Sequence, residues 1–259
     1  MVLLRDTSAG LELYLVKRAR GSDFMAGAHV FPGGRFDASD ASPSACALLA
    51  QDLAALKARL GEELPPARAA GLFVAAVRET FEEAGLLIGS FAPGWDLAEA
   101  RRAVASGAQF TTLVSRLDAQ ALVPWVRWVT PPISPKRFDA RFFLARAPEG
   151  QEPVVDGREV VEGAWLTPRA ALELWEGGEM QLAPATAKSI DALAGFRTAE
   201  EALAAAAKRP PPVVMPAVWQ DGGRAFISLP GDERHELGDV LGGRIHRIQL
   251  EGGRYRPVK

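Results

Sequence analysis

The sequence predicts an α/β fold on three observations. Leu11 to Lys17, Val123 to Val129 and Arg137 to Leu144 alternate in side-chain character as strands do. Ala69 to Ala84 is Ala-rich, carries Leu72, Phe73, Val74 and Val77 at helical spacing, and meets Gly85 where a left-handed cap would stop it. Further helical stretches, at about 184 to 194 and 199 to 208, follow the later strands, an interleaving that suits layered α/β packing.

At 259 residues and 48% apolar composition, the chain is long enough for one large domain or one domain with an appendage. Pro210-Pro211-Pro212 marks the expected boundary, dividing a main domain at 1–209 from a β-rich extension at 210–259. A formal charge of −2 offers no electrostatic case for nucleic acid or an anionic membrane as partner. The lone Cys46 excludes an internal disulfide and a cysteine zinc site, and three scattered histidines argue against a histidine metal centre. No apolar run approaches the ~18 residues of a membrane span. Arg5 and Asp6 interrupt the short apolar start, and Arg256 to Lys259 form no peroxisomal address, so a cytoplasmic location is expected.

Taken in order, Val2 to Leu4 and Leu11 to Lys17 read as two strands joined at Thr7 to Gly10. Phe31-Pro32-Gly33-Gly34 reads as a strand end entering a tight turn, where two glycines let the backbone approach a ligand. Positions 41 to 65 read as an amphipathic helix capped by Ser44, with Leu48, Leu49, Leu53, Leu56 and Leu60 on its apolar side. Pro65-Pro66 then opens the next helix. Near the end of that helix come Arg78, Glu79, Glu82 and Glu83. At roughly 100° per residue the three glutamates share one face, opposite Val74, Val77 and Phe81. Like charges so placed repel one another. Hard divalent cations relieve that, because Mg²⁺ takes carboxylate oxygens and keeps waters for a phosphate substrate.

Arg78-Glu-Thr-Phe-Glu-Glu-Ala-Gly-Leu86 resembles the second half of the Nudix box, and Phe31 to Gly34 with Asp40, six residues after Gly34, resembles the first. The long spacer at 41 to 77 makes this similar to the interrupted-box group of that family, and Thr80 stands where an apolar residue is usual. The resemblance implies an α/β/α sandwich with a mixed sheet, a helical insertion within the box (41–65), and Mg²⁺ or Mn²⁺ held by Glu79, Glu82, Glu83 and the Gly34 carbonyl. Arg78 and Asp40 are expected to brace the loop against the helix. Arg18, Ala19, Gly27 and the Phe-Pro-Gly-Gly run are also similar to the upstream signature of coenzyme A diphosphatases, which makes Arg18 a substrate-binding candidate. Val16 and Asp23 depart from that signature.

Beyond the box, Leu86 to Ile88 reads as a short strand and 96 to 117 as helix lying over the fold. The Val123–Val129 and Arg137–Leu144 strands flank a proline-stiffened loop. Around it, Trp128, Phe138 and Phe143 are candidates to stack a base, and Lys136, Arg137 or Arg141 to bind phosphate, against the alternative of core aromatics and edge-guarding cations. The resemblance implies a further carboxylate near the next strand; Glu159 and Glu162 both qualify, with Glu159 preferred. Thr167-Pro168 caps a helix through Trp175, and the tail reads as three strands at 213–219, 224–229 and 244–250.

The implied reaction is metal-dependent hydrolysis of a diphosphate in a nucleoside diphosphate linked to another moiety, with coenzyme A or an acyl derivative first. ADP-ribose, NADH or another dinucleotide, and capped nucleotides, stay open. A nucleotide-sensing module that does not cleave is the alternative from another class; intact box glutamates weigh against it. A third reading is an assembly protein built on the insertion and tail. The insertion suits a contact between two copies as well as packing on its own fold.

Overall fold

The computed structural model describes residues 1–21 and 25–258, so the departure at Asp23 lies outside the described residues. It is an α/β/α sandwich on a mixed sheet. β1 (Val2–Thr7) and β2 (Gly10–Arg18) form a hairpin, and β3 (His29–Val30) follows. β2 pairs with β8 (Val160–Leu166) along one edge and divides its other edge between β1 and β3. The strand end at Phe31 to Gly34 therefore lies beside the start of β1, where the Met1 amino group donates to the Pro32 carbonyl at 2.5 Å. β1 runs parallel to β7 (Asp139–Arg146), β7 pairs antiparallel with β6 (Val123–Val129), and β6 pairs parallel with β9 (Val213–Val214).

Both faces of the sheet are covered. Leu3, Tyr14, Val16 and Phe143 point to one core, under helix α3 (Pro66–Ala84). Leu4, Leu13, Leu15, Trp128 and Leu144 point to the other, under α6 (Pro168–Gly177), α7 (Pro184–Leu193) and α8 (Ala199–Ala207). Trp128 and Phe143, at 4% and 2% exposure, are core residues and so not open to a stacking base.

The insertion departs from the single helix expected. It forms two: α1 (Pro43–Cys46), capped by Ser42 and not Ser44, and α2 (Leu53–Leu60), capped by Asp52. Between them the helix breaks off, because the Leu48 carbonyl accepts from the Leu117 amide (2.8 Å) and Leu49 bridges to Leu117. Pro65-Pro66 start α3 and Gly85 (φ 65°) closes it, as expected. Leu86 to Ile88 is buried but not a strand; Gln151 takes both hydrogen bonds of the Leu87 backbone, and pairing begins one residue later in β4 (Gly89–Phe91). The 96–117 stretch is helical only over α4 (Leu97–Ala105) and α5 (Phe110–Leu113), then becomes β5 (Val114–Leu117) against β4.

The tail contributes β9 to the main sheet and a four-stranded meander, β10 (Ala217–Asp221), β11 (Arg224–Ser228), β12 (Arg247–Glu251) and β13 (Arg254–Pro257). It is fastened to α7. The Asp191 carboxylate accepts from the amides of Arg244 and Ile245, both at 2.7 Å. The fully buried Lys188 ammonium lies between Asp191 (3.8 Å) and Asp239 (3.6 Å), and burial lowers its pKa. Among the described residues no helix is long and apolar enough to cross a membrane.

Candidate active site

α3 delivers its last turns to the glycine loop. Val74, Val77 and Phe81 are buried against the core, which turns the Glu79, Glu82 and Glu83 face toward Pro32 to Arg35. Thr80, in an apolar position, is fully buried, and its hydroxyl donates to the Ala76 carbonyl at 2.7 Å. That bond removes the penalty of an orphaned hydroxyl, so threonine serves there as a packing residue.

The loop is held at three points. The Gly33 amide donates to the Glu83 carboxylate at 2.8 Å. Arg78 donates two parallel bonds to Asp40, from Nε at 2.8 Å and Nη2 at 2.9 Å, and a third to the Arg35 carbonyl at 2.9 Å. Asp40 in turn caps the single turn of 3-10 helix at Ala38–Ala41 by accepting from the Asp37 amide. Gly34 lies so close to Glu79 that a Cβ there would meet the carboxylate, so a larger residue would push Glu79 out of its place beside the loop.

The carboxylates share one electrostatic environment. Arg78 Nη1 donates to both Glu79 and Glu82 at 2.9 Å. Burial raises the pKa of all three glutamates, and the Glu159 charge adds a smaller rise to each. Glu83 is pushed up to about 7: burial is the main cause, the Gly33 bond and the Met1 amino group oppose it, and Glu79 and Glu159 reinforce it. Burial works against the charge on Arg78, but its bonds to Asp40 and the charges of Glu79 and Glu82 outweigh that and raise its pKa.

Asp40, Glu79 and Glu82 thus share one guanidinium, and Glu83 takes the Gly33 amide. The donors are all hard oxygens beside a glycine turn, a set that suits a hard divalent cation. Among the described residues no three acidic, histidine or cysteine side chains are grouped around one point, because Arg78 engages Glu79 and Glu82 while Gly33 engages Glu83.

The other expected site residues are distributed unevenly. Arg18 ends β2 beside Glu159, whose carbonyl accepts from the Ala19 amide at 2.9 Å. Glu162 is turned away from the box and pairs with Lys17 at 2.9 Å. Arg137 and Phe138 are exposed on the loop before β7, at the sheet end where Phe31 meets Phe142 edge-on at 5.7 Å. Arg141 is not on that loop. It is held by Glu62 of the insertion at 2.6 and 3.0 Å and by Asp139 at 3.0 Å, alongside Arg127. Glu62 precedes α3 and Glu79 lies near its far end, about 20 Å along the axis at 1.5 Å per residue, so Arg141 stands apart from the box. Sequence reasoning passed over Asp156, which accepts three amides around Glu159, although Asp156-Gly157 is a turn signal in its own right.

A mixed sheet between helical layers, with a glutamate-faced helix end against a glycine turn, defines a Nudix hydrolase fold and site. Residues 54–193 match the family model described as the NUDT19 Nudix domain, and the chain belongs to the Nudix hydrolase family. Among its relatives is the acyl-coenzyme A diphosphatase NUDT19 of Gallus gallus, 32% identical over 226 residues, covering 67% of this chain and 58% of that protein. The Homo sapiens protein of the same name is 32% identical over 231 residues, covering 72% and 61%. A solved Nudix hydrolase from Alicyclobacillus acidocaldarius superposes with a TM-score of 0.63 at 29% identity, covering 78% of this chain and 92% of its own. The chain thus spans about three fifths of the length of these two curated relatives.

Proposed function

We propose that the protein hydrolyses the diphosphate of coenzyme A or an acyl-coenzyme A, with Mg²⁺ or Mn²⁺ as cofactor. The observation that carries this is the run of box glutamates beside the Gly33–Gly34 turn, with Glu83 taking the Gly33 amide, Glu79 lying against Gly34 and Arg78 holding Glu79 and Glu82, and with the names of the relatives supplying the substrate class. Glu79, Glu82, Glu83 and the Gly34 carbonyl are the groups to hold the ions. Bound there, a divalent ion offsets charge on the phosphoryl oxygens and lowers the pKa of a coordinated water.

Arg78 fixes Glu79 and Glu82 relative to the loop, and the Gly33 amide orients Glu83. The Glu159 carboxylate, just before β8, is assigned to accept the proton of the attacking water. Arg18, with Arg137 and Phe138, is assigned to the phosphates and the base. The test is incubation of acetyl-coenzyme A with the purified protein, with and without Mg²⁺. The expected products are adenosine 3′,5′-bisphosphate and the acylated phosphopantetheine, formed only with the ion. Uptake of acetyl-coenzyme A without cleavage under any divalent ion would favour a nucleotide sensor.

A further inference from the structure

Glu159 is exposed and belongs to a segment, 151 to 159, without helix or strand. A carboxylate on such a segment has no inherent reason to stay against the box, yet the backbone around it is tied at every step. Gln151 pairs with both backbone groups of Leu87, at 2.9 and 3.1 Å. Arg101, reaching from α4, donates to the Gly85 carbonyl at 2.9 Å and to the Glu152 carbonyl at 2.5 Å, so one guanidinium joins the box-helix cap to the segment. The Val154 amide donates to the Ala84 carbonyl at 2.9 Å, satisfying one of the orphan carbonyls at the end of α3. The chain then turns at Gly157 (φ 71°), whose amide donates to the Val160 carbonyl at 3.0 Å.

Within that turn, Asp156 Oδ1 accepts from the amides of Arg158 and Val160, and Oδ2 from the amide of Glu159, each at 3.0 Å. Three consecutive N–H groups converge on one carboxylate, the strongest local constraint on the backbone that carries Glu159. We propose that Asp156 is a positioning residue: it acts through Glu159, holding that carboxylate against Glu79, Glu82 and Glu83. Arg101 and Val154 anchor the same segment to the helix from the other side. The proposal rests on the assignment of Glu159 to the reaction.

The experiment is a double-mutant cycle in the full chain, on acetyl-coenzyme A with Mg²⁺, combining Asp156→Ala and Glu159→Gln. Displacing a reacting group by about 1 Å costs up to roughly 100-fold in rate. Asp156→Ala should therefore lower kcat by about 10-fold to 100-fold with KM within twofold of the parent, and should add no further loss in the Glu159→Gln background. Amide hydrogen exchange should speed up at 158 to 160 and stay unchanged in α3. Asp156→Asn keeps the Oδ1 bonds and loses the one to Glu159, so its kcat should fall between; it carries the test if the alanine variant does not fold. A slow Glu159→Gln with parental kcat in Asp156→Ala, or losses that multiply in the double variant, overturn the positioning role alone. Parental kcat in Glu159→Gln overturns the assignment of Glu159 and the proposal with it.

Discussion

Arg78 and Asp40 meet through two parallel hydrogen bonds across 38 residues of sequence, closing the interrupted box from behind. Asp40 is 2% exposed, so the pair is structural and desolvated. Arg78→Ala leaves a buried carboxylate without its partner and should cost about 3–5 kcal/mol. Arg78→Lys keeps the charge but not the fork, and should fall between the two. Urea denaturation of the three proteins checks the order; an alanine variant as stable as the parent would refute it.

Glu83→Gln retains an oxygen for the Gly33 amide but removes the charge. Turnover of acetyl-coenzyme A should drop about 100-fold or more while circular dichroism is unchanged. Steady-state kinetics at saturating Mg²⁺ measure this, and parental kcat would remove Glu83 from the site.

The same carboxyl sets a pH dependence in the metal-free protein. Its folded pKa of about 7 lies above its ordinary 4.5, so between those values the folded state keeps a proton that the unfolded state has released. Stability should therefore fall as pH rises from about 5 to about 7 and level off above, by on the order of 3 kcal/mol for Glu83. Glu79 and Glu82 act in the same direction. Urea midpoints in EDTA should show the decline in the parent and a shallower one in Glu83→Gln; added Mg²⁺ should restore stability most above pH 7.

Arg141 and Arg137 should separate in kinetics. Arg141 is committed to Glu62 and Asp139, so Arg141→Ala should lower stability by about 1–3 kcal/mol with KM unchanged. Arg137 is exposed on the loop, and Arg137→Ala should raise KM for acetyl-coenzyme A about tenfold, the worth of one charge-assisted hydrogen bond. A KM effect confined to Arg141→Ala would reverse the two roles.

What the sequence made legible was local. Pro65-Pro66 and Gly85 bound the box helix because proline geometry and a left-handed cap act within a turn of themselves. The Val123–Val129 strand and the Thr167 cap were visible for the same reason. Long-range pairing was not visible. Leu49 reads as a helix residue until Leu117 arrives beside it, and Leu86 to Ile88 reads as a strand until Gln151 takes its backbone bonds. Trp128 and Phe143 looked available because alternation hides burial when helices cover both faces of a sheet. The box glutamates stood out as a motif, whereas Asp156 shows its worth only once three amides are seen to point at it.

The fastening of Asp191 and Lys188 to residues 239–245 has a consequence for how the molecule melts. Peeling the meander from α7 would break the two amide bonds to Asp191 and the Lys188–Asp239 pair together, which ties the extension's unfolding to that of the main domain. Calorimetry should record one cooperative endotherm for the whole chain, and Asp191→Ala should split it in two.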